Sequence, residues 1–115
     1  MKLTNNEISN ALIAFNKIGE IELEAKTAYA LYKTIKALEP HSEIFNKIRN
    51  DLIKKYSKEE KGIVMNSPEY VAFFEELAPI LNDEIEVAIE PVDIPSDIKL
   101  TLQDIASLDK LINLV

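Results

Sequence analysis

The amino-acid sequence predicts a mainly helical α+β domain: a long, kinked helical hairpin with a small sheet of two to three strands and two shorter helices. Two observations predict it. Apolar residues recur at steps of three and four over most of the chain, as amphipathic helices require. Residues 84–90 instead alternate with period two, as a half-buried strand requires. Charge also divides along the chain. Residues 1–61 carry eleven Lys and Arg against nine Asp and Glu, and residues 62–115 carry two against eleven. The halves are thus +2 and −9 within a net charge of −7.

The first element is a helix over about residues 5–18. Thr4-Asn5-Asn6-Glu7 is a capping box, in which Thr4 accepts from the Glu7 amide and Glu7 reaches back. Ile8, Leu12, Phe15 and Ile18 form its inner stripe, and Gly19 is expected to stop it in a left-handed conformation. A second helical pattern begins near Glu22. Leu31, Ile35, Leu38, Ser42, Phe45, Ile48, Leu52 and Tyr56 keep helical steps on both sides of Pro40. An interior proline removes one hydrogen bond and crowds the carbonyl four residues back. Two helices broken at Glu39-Pro40 are one outcome; the unbroken register of the stripe favours a single kinked helix. Over about 35 residues it would reach on the order of 50 Å, which implies an elongated molecule.

Lys54, Lys55, Lys58 and Lys61 crowd the end of this helix, where cations answer the negative end of the helix dipole. Gly62-Ile63-Val64-Met65-Asn66 is a short strand candidate. Ser67-Pro68-Glu69 then supplies an N-cap, a proline at the first position and an acid in the first turn. The helix that follows should cover about 68–82, with Tyr70, Val71, Phe74, Leu77 and Leu81 inward and Pro79 bending or fraying its last turn. In the strand over residues 84–90, Ile85, Val87 and Ile89 should be buried and Glu84, Glu86 and Glu90 exposed. Pro91 ends its pairing. Its expected partner is Ile63-Val64-Met65, with Lys2-Leu3 as a third strand. Pro95-Ser96-Asp97 makes a turn, and Thr101-Leu102-Gln103-Asp104 caps a last helix over about 102–113.

A chain of 115 residues, 47% hydrophobic and 29% charged, is expected to form one ordinary globular domain. The sequence contains no cysteine, which excludes disulfides, thiolate chemistry and cysteine-based zinc sites. The polar opening is not that of a secretory leader, and the longest apolar run is too short to cross a membrane. With only Gly19 and Gly62, a glycine-rich phosphate loop is not expected.

No catalytic residue, metal ligand or cofactor site is expected from the sequence. His41 is the single histidine and has no nucleophile beside it to activate. The carboxylate pairs Glu20/Glu22, Glu59/Glu60 and Glu75/Glu76 lie in solvent-facing registers rather than in an apolar cleft. Asp83-Glu84-Ile85-Glu86 lacks the central glycine of a calcium loop. Direct nucleic-acid binding is disfavoured, because a −9 surface repels phosphates.

Across nearly its full length the chain resembles a family of small phage and prophage proteins of unknown function. The resemblance rests on Met-Lys-Leu-Thr-Asn-Asn-Glu at the start, Ile35-Lys36-Ala37-Leu38-Glu39-Pro40 and Asp51-Leu52-Ile53-Lys54-Lys55-Tyr56. Asn82-Asp83-Glu84-Ile85-Glu86-Val87 and Leu100-Thr101-Leu102-Gln103-Asp104-Ile105 complete it. Relatives of that kind carry a longer insert where residues 57–62 stand here, which implies a tolerant hairpin tip. The resemblance implies a viral or prophage gene expressed in the host bacterial cytoplasm, or a place in the virion.

The expected function is therefore a non-enzymatic protein that binds and modulates a host or phage protein, without cofactor or membrane. Glu75, Glu76, Glu84, Glu86 and Glu90 are the candidate contacts, and Phe45 and Tyr56 on the long helix are the alternative. The competing reading is a structural or assembly component of the virion or tail, and a homo-oligomer is compatible with either. A nucleic-acid mimic or a carboxylate-based enzyme ranks below both.

Overall fold

The computed structural model describes residues 1–57, 63 and 67–115. The elements run β1 (Lys2–Thr4), α1 (Asn5–Ile18), α2 (Ala25–Tyr56), α3 (Pro68–Leu81), β2 (Glu84–Glu86), β3 (Val92–Ile94), α4 (Leu102–Leu108) and β4 (Ile112–Leu114). This is the mainly helical α+β class that the periodicities predict. The described strands form two separate two-stranded sheets rather than one sheet of two to three strands.

Thr4 ends β1 and caps α1 in the same residue. Its Oγ1 accepts from the Glu7 N–H at 3.0 Å, and Glu7 Oε1 accepts from the Thr4 N–H at 3.0 Å. Ile8, Ala11, Ala14, Phe15 and Ile18 are buried at helical spacing, while Leu12 is only half-buried. Gly19 departs from expectation. Its φ of −61° and ψ of −18° are right-handed, and its N–H simply continues the ladder to Phe15 O at 2.8 Å.

Helix α2 runs through Pro40 without interruption, starting at Ala25 rather than near Glu22. Its apolar stripe is shared between two clusters. Leu31 and Leu38 enter the main core with Leu3, Ile8, Phe15, Ile94, Leu108 and Leu111. Phe45 joins Phe73 and Leu77 in a second, smaller core, flanked by Leu52, Ile53 and Tyr56. A rod of 32 residues is about 48 Å long. It sets the long axis of a molecule measuring 48 × 26 × 20 Å. The expected strand at residues 62–66 lies outside the described residues except for Ile63, which packs on the second core.

Ser67 caps α3 by accepting from the Tyr70 N–H at 3.2 Å, with Pro68 at the first helical position. Pro79 leaves the last turn helical as far as Leu81. The buried face differs from the expected one. Phe73 and Leu77 are buried and Ile80 is half-buried, whereas Val71 and Phe74 are exposed. Positions 73, 77 and 80 follow one helical face as well as 70, 74, 77 and 81 do, and packing against Phe45 selects the former.

Strand β2 pairs antiparallel with β1, with Leu3 opposite Ile85 and Lys2 opposite Glu86. The ladder is short because its partner becomes helix α1 at Asn5. After a last bond from the Val87 N–H to Met1 O at 2.8 Å, a tight turn closes from the Ile89 N–H to Val87 O. Regular strand therefore covers Glu84–Glu86 rather than 84–90, yet the alternation of faces persists. Val87 is buried, Ile85 and Ile89 are half-buried, and all three glutamates are exposed.

Beyond Pro91, β3 pairs in parallel with β4, and α4 forms the connection between them. The last helix is consequently shorter than expected, stopping at Leu108. Residues 112–114 supply the backbone partners that β3 needs, and Ile112 is buried against the main core. No helix among the described residues is long and apolar enough to cross a membrane.

Candidate functional site

The five candidate carboxylates are all on the surface, but the fold answers several of them with cations. Glu76 lies on α3, and its Oε1 stands 2.8 Å from Lys55 Nζ across the hairpin. That hydrogen bond holds the Glu76 carboxyl below its ordinary range and raises the Lys55 ammonium. Glu84 and Glu86 share one face of β2. Glu86 Oε1 is 3.0 Å from the Met1 α-amino nitrogen, and Lys2 lies opposite it in the ladder. Lys110 is raised chiefly by Glu7 and also by the charge of Glu84. Glu75 and Glu90 make no ion pair among the described residues and are the barest of the five.

Glu90 also lines a groove of about 670 Å³ between the first third of α2 and residues 88–95. The α2 wall is small, with Ala30, Thr34 and Ala37, and the Thr34 hydroxyl donates to Ala30 O at 3.2 Å. Glu90 and Asp93 line it from the 88–95 segment, and Glu24, Lys26 and Lys33 from the start of α2. The groove was not legible in the sequence. Its only trace is the run of small residues at helical spacing, which equally describes a close backbone contact.

The alternative site on α2 needs a correction. Phe45 is 3% exposed and anchors the second core, so it cannot meet a partner, and Tyr56 is half-buried beside it. The hairpin partner α3 covers this part of the helix. The aromatic residues that α2 does expose are Tyr29 and Tyr32, with Lys33 Nζ 4.8 Å from the Tyr29 ring centroid and Lys36 Nζ 5.5 Å from that of Tyr32. On α3 the exposed apolar residues are Val71 and Phe74, with the Phe74 ring 5.1 Å from that of Tyr70. His41 is half-buried on α2, and among the described residues no group of three or more His, Asp and Glu converges as a metal site.

Two further carboxylates, which the sequence marks only as helix caps, tie the molecule together. Lys17 Nζ, at the end of α1, meets buried Asp104 at 3.1 Å, and Lys110 Nζ meets Glu7 at 2.7 Å. The two pairs clamp α1 to both ends of α4. Lys17 and the Thr101 backbone hold Asp104 below its ordinary range, and Lys110 with the Thr4 backbone does the same for Glu7.

Fold and surface together define an elongated, mainly helical α+β domain with an acidic body and one basic helix. Helix α2 carries seven Lys and Arg against three acids, so the remainder of the chain holds a net −11. In comparison with known proteins, no family model, no curated protein and no solved structure matches the chain.

Proposed function

We propose that this chain is a non-enzymatic binding protein of phage or prophage origin, which engages and modulates a host or phage protein through its acidic surface. The observation that supports it is the display of Glu75, Glu76, Glu84, Glu86 and Glu90 on the exposed side of α3, β2 and the segment after it. Exposed carboxylates raise the rate of encounter with a basic partner and select against acidic ones. The whole-chain resemblance supports the origin, with the bacterial cytoplasm as the site of action. The reading as a virion or tail component draws on the exposed Val71 and Phe74, since apolar residues left open on a helix suit assembly.

A pull-down from bacterial lysate, with and without infection, tests the proposal. The partner captured by the unmodified protein should dissociate as salt rises, because exposed charges are screened beyond about 10 Å at 0.1 M. Joint reversal of Glu75, Glu76, Glu84 and Glu86 to Lys should slow its association far more than it lowers the melting temperature. A partner indifferent to both salt and the reversal would sink the acidic-surface reading.

A further inference from the structure

We infer that the chain associates with itself head to tail, the exposed face of α3 in one copy docking on the Tyr–Lys face of α2 in the next. The acceptor face comprises Tyr29, Tyr32, Lys33 and Lys36, which share one stripe at steps of three and four. Both tyrosines are more than half exposed, at 63% and 57%. The donor face comprises Tyr70, Val71, Phe74 and Glu75, with Val71 at 53% and Phe74 at 44% exposed. Each face is aromatic at its centre, and their rims carry opposite charge. Lys33 and Lys36 project on one, and Glu75, which has no cationic partner among the described residues, on the other. Lys36 also touches Glu39 at 3.4 Å, an exposed contact between surface side chains that exchange would readily replace.

The two faces cannot satisfy each other within one molecule. Helix α3 packs beside Phe45, Leu52 and Tyr56, whereas the Tyr–Lys stripe lies in the first third of the same continuous helix. The centres of those stretches are 18 residues apart along α2, or roughly 27 Å. Two different patches that complement each other between copies make a heterologous contact, which propagates or closes into a ring. A basic and aromatic stripe also suits single-stranded nucleic acid. Against that, the stripe spans only about 10 Å, which is short for a site that tracks several nucleotides of a single strand.

This inference does not rest on the partner-binding reading, and its test uses the purified chain alone. Sedimentation velocity at about 0.1 M salt, where a screening length of about 10 Å leaves local ion pairs but damps the repulsion between copies of net charge −7, should show an average mass that rises with concentration above the 13.0 kDa monomer. At about 1 M salt, where that length is about 3 Å, the rise should shrink several-fold. Lys33→Glu with Lys36→Glu should abolish association, as should Phe74→Ala with Glu75→Ala, each with an unchanged far-UV circular dichroism spectrum. Mixing the two variants should restore a one-to-one dimer that grows no further, because each retains the face the other has lost. A chain that stays monomeric up to about 1 mM at about 0.1 M salt would overturn the inference, whether or not the α2 stripe binds an RNA oligonucleotide. An oligomer that ignores both double substitutions would overturn it equally.

Discussion

Glu7 closes the capping box of α1 with Thr4 and also takes Lys110 Nζ, and Asp104 does the same for α4 with Thr101 and Lys17. Both carboxyls are held below their ordinary range, so the folded chain binds fewer protons there than the unfolded chain. The stability they contribute is fully present above the unfolded values near about 4 and is lost as the pH falls through the lower folded values. Thermal melts between neutral pH and strong acid should therefore show a steep acid decline. Asp104→Asn and Glu7→Gln should each lower the melting temperature at pH 7 and flatten that decline. Gly19 provides a test of opposite sign. Its backbone is right-handed, and an added Cβ would meet only Phe15 O at 3.4 Å and Asn16 O at 3.5 Å. Gly19→Ala should thus stabilise the fold by about 0.4–1 kcal/mol in urea titration, chiefly by restricting the unfolded chain.

Helix α2 and the segment after β2 illustrate how element-level patterns survive in the fold. The stripe through Pro40 keeps its register and the helix is continuous, so Pro40→Ala restores a bond to the Lys36 carbonyl. Equilibrium unfolding should show a gain of up to about 3 kcal/mol, or no change where the loss of restriction in the unfolded chain offsets it. A loss above about 2 kcal/mol would mean that the proline sets a bend the two cores require. At residues 84–90 the alternation correctly assigns Val87 to the core although the ladder ends beside it. Val87→Asp should cost more than about 3 kcal/mol by burying an unpaired charge. Glu86→Lys is the milder change. It forfeits the Met1 amine and faces Lys2 across the ladder, and should cost at most about 1 kcal/mol by the same measurement.

At the scale of the whole molecule, one long helix carries two cores arranged along it. The Cα radius of gyration is 16.7 Å, against about 13 Å for a compact domain of this length. Small-angle scattering of dilute protein in high salt should return the larger value, and about 13 Å would mean that α2 folds back at Pro40. Among the described residues, the second core is the weaker of the two, with three buried apolar residues against fourteen in the first. Hydrogen exchange should accordingly be faster in α3 and the end of α2 than in α1, because opening free energy follows local burial.

The sequence by itself determined where α1, α3 and α4 begin, that α2 continues, and which side of the 84–90 segment is apolar. Thr4, Ser67 and Thr101 each cap the helix they announce, because a cap acts within one turn and needs no distant partner. The exposure of Glu75, Glu84, Glu86 and Glu90 was legible for the same reason, since periodicity places a residue on a face. Only the tertiary structure decided what meets those faces. Met1 and Val87, 86 positions apart, bond to each other, and β1 pairs with β2. β3 draws residues 112–114 out of the last helix, and Phe45 selects Phe73 over Phe74. Lys55, the Met1 amine and Lys110 reach acids that appeared bare in the sequence. Each of these outcomes depends on a neighbour brought near by folding, and no local pattern of charge or hydrophobicity encodes which neighbour that will be.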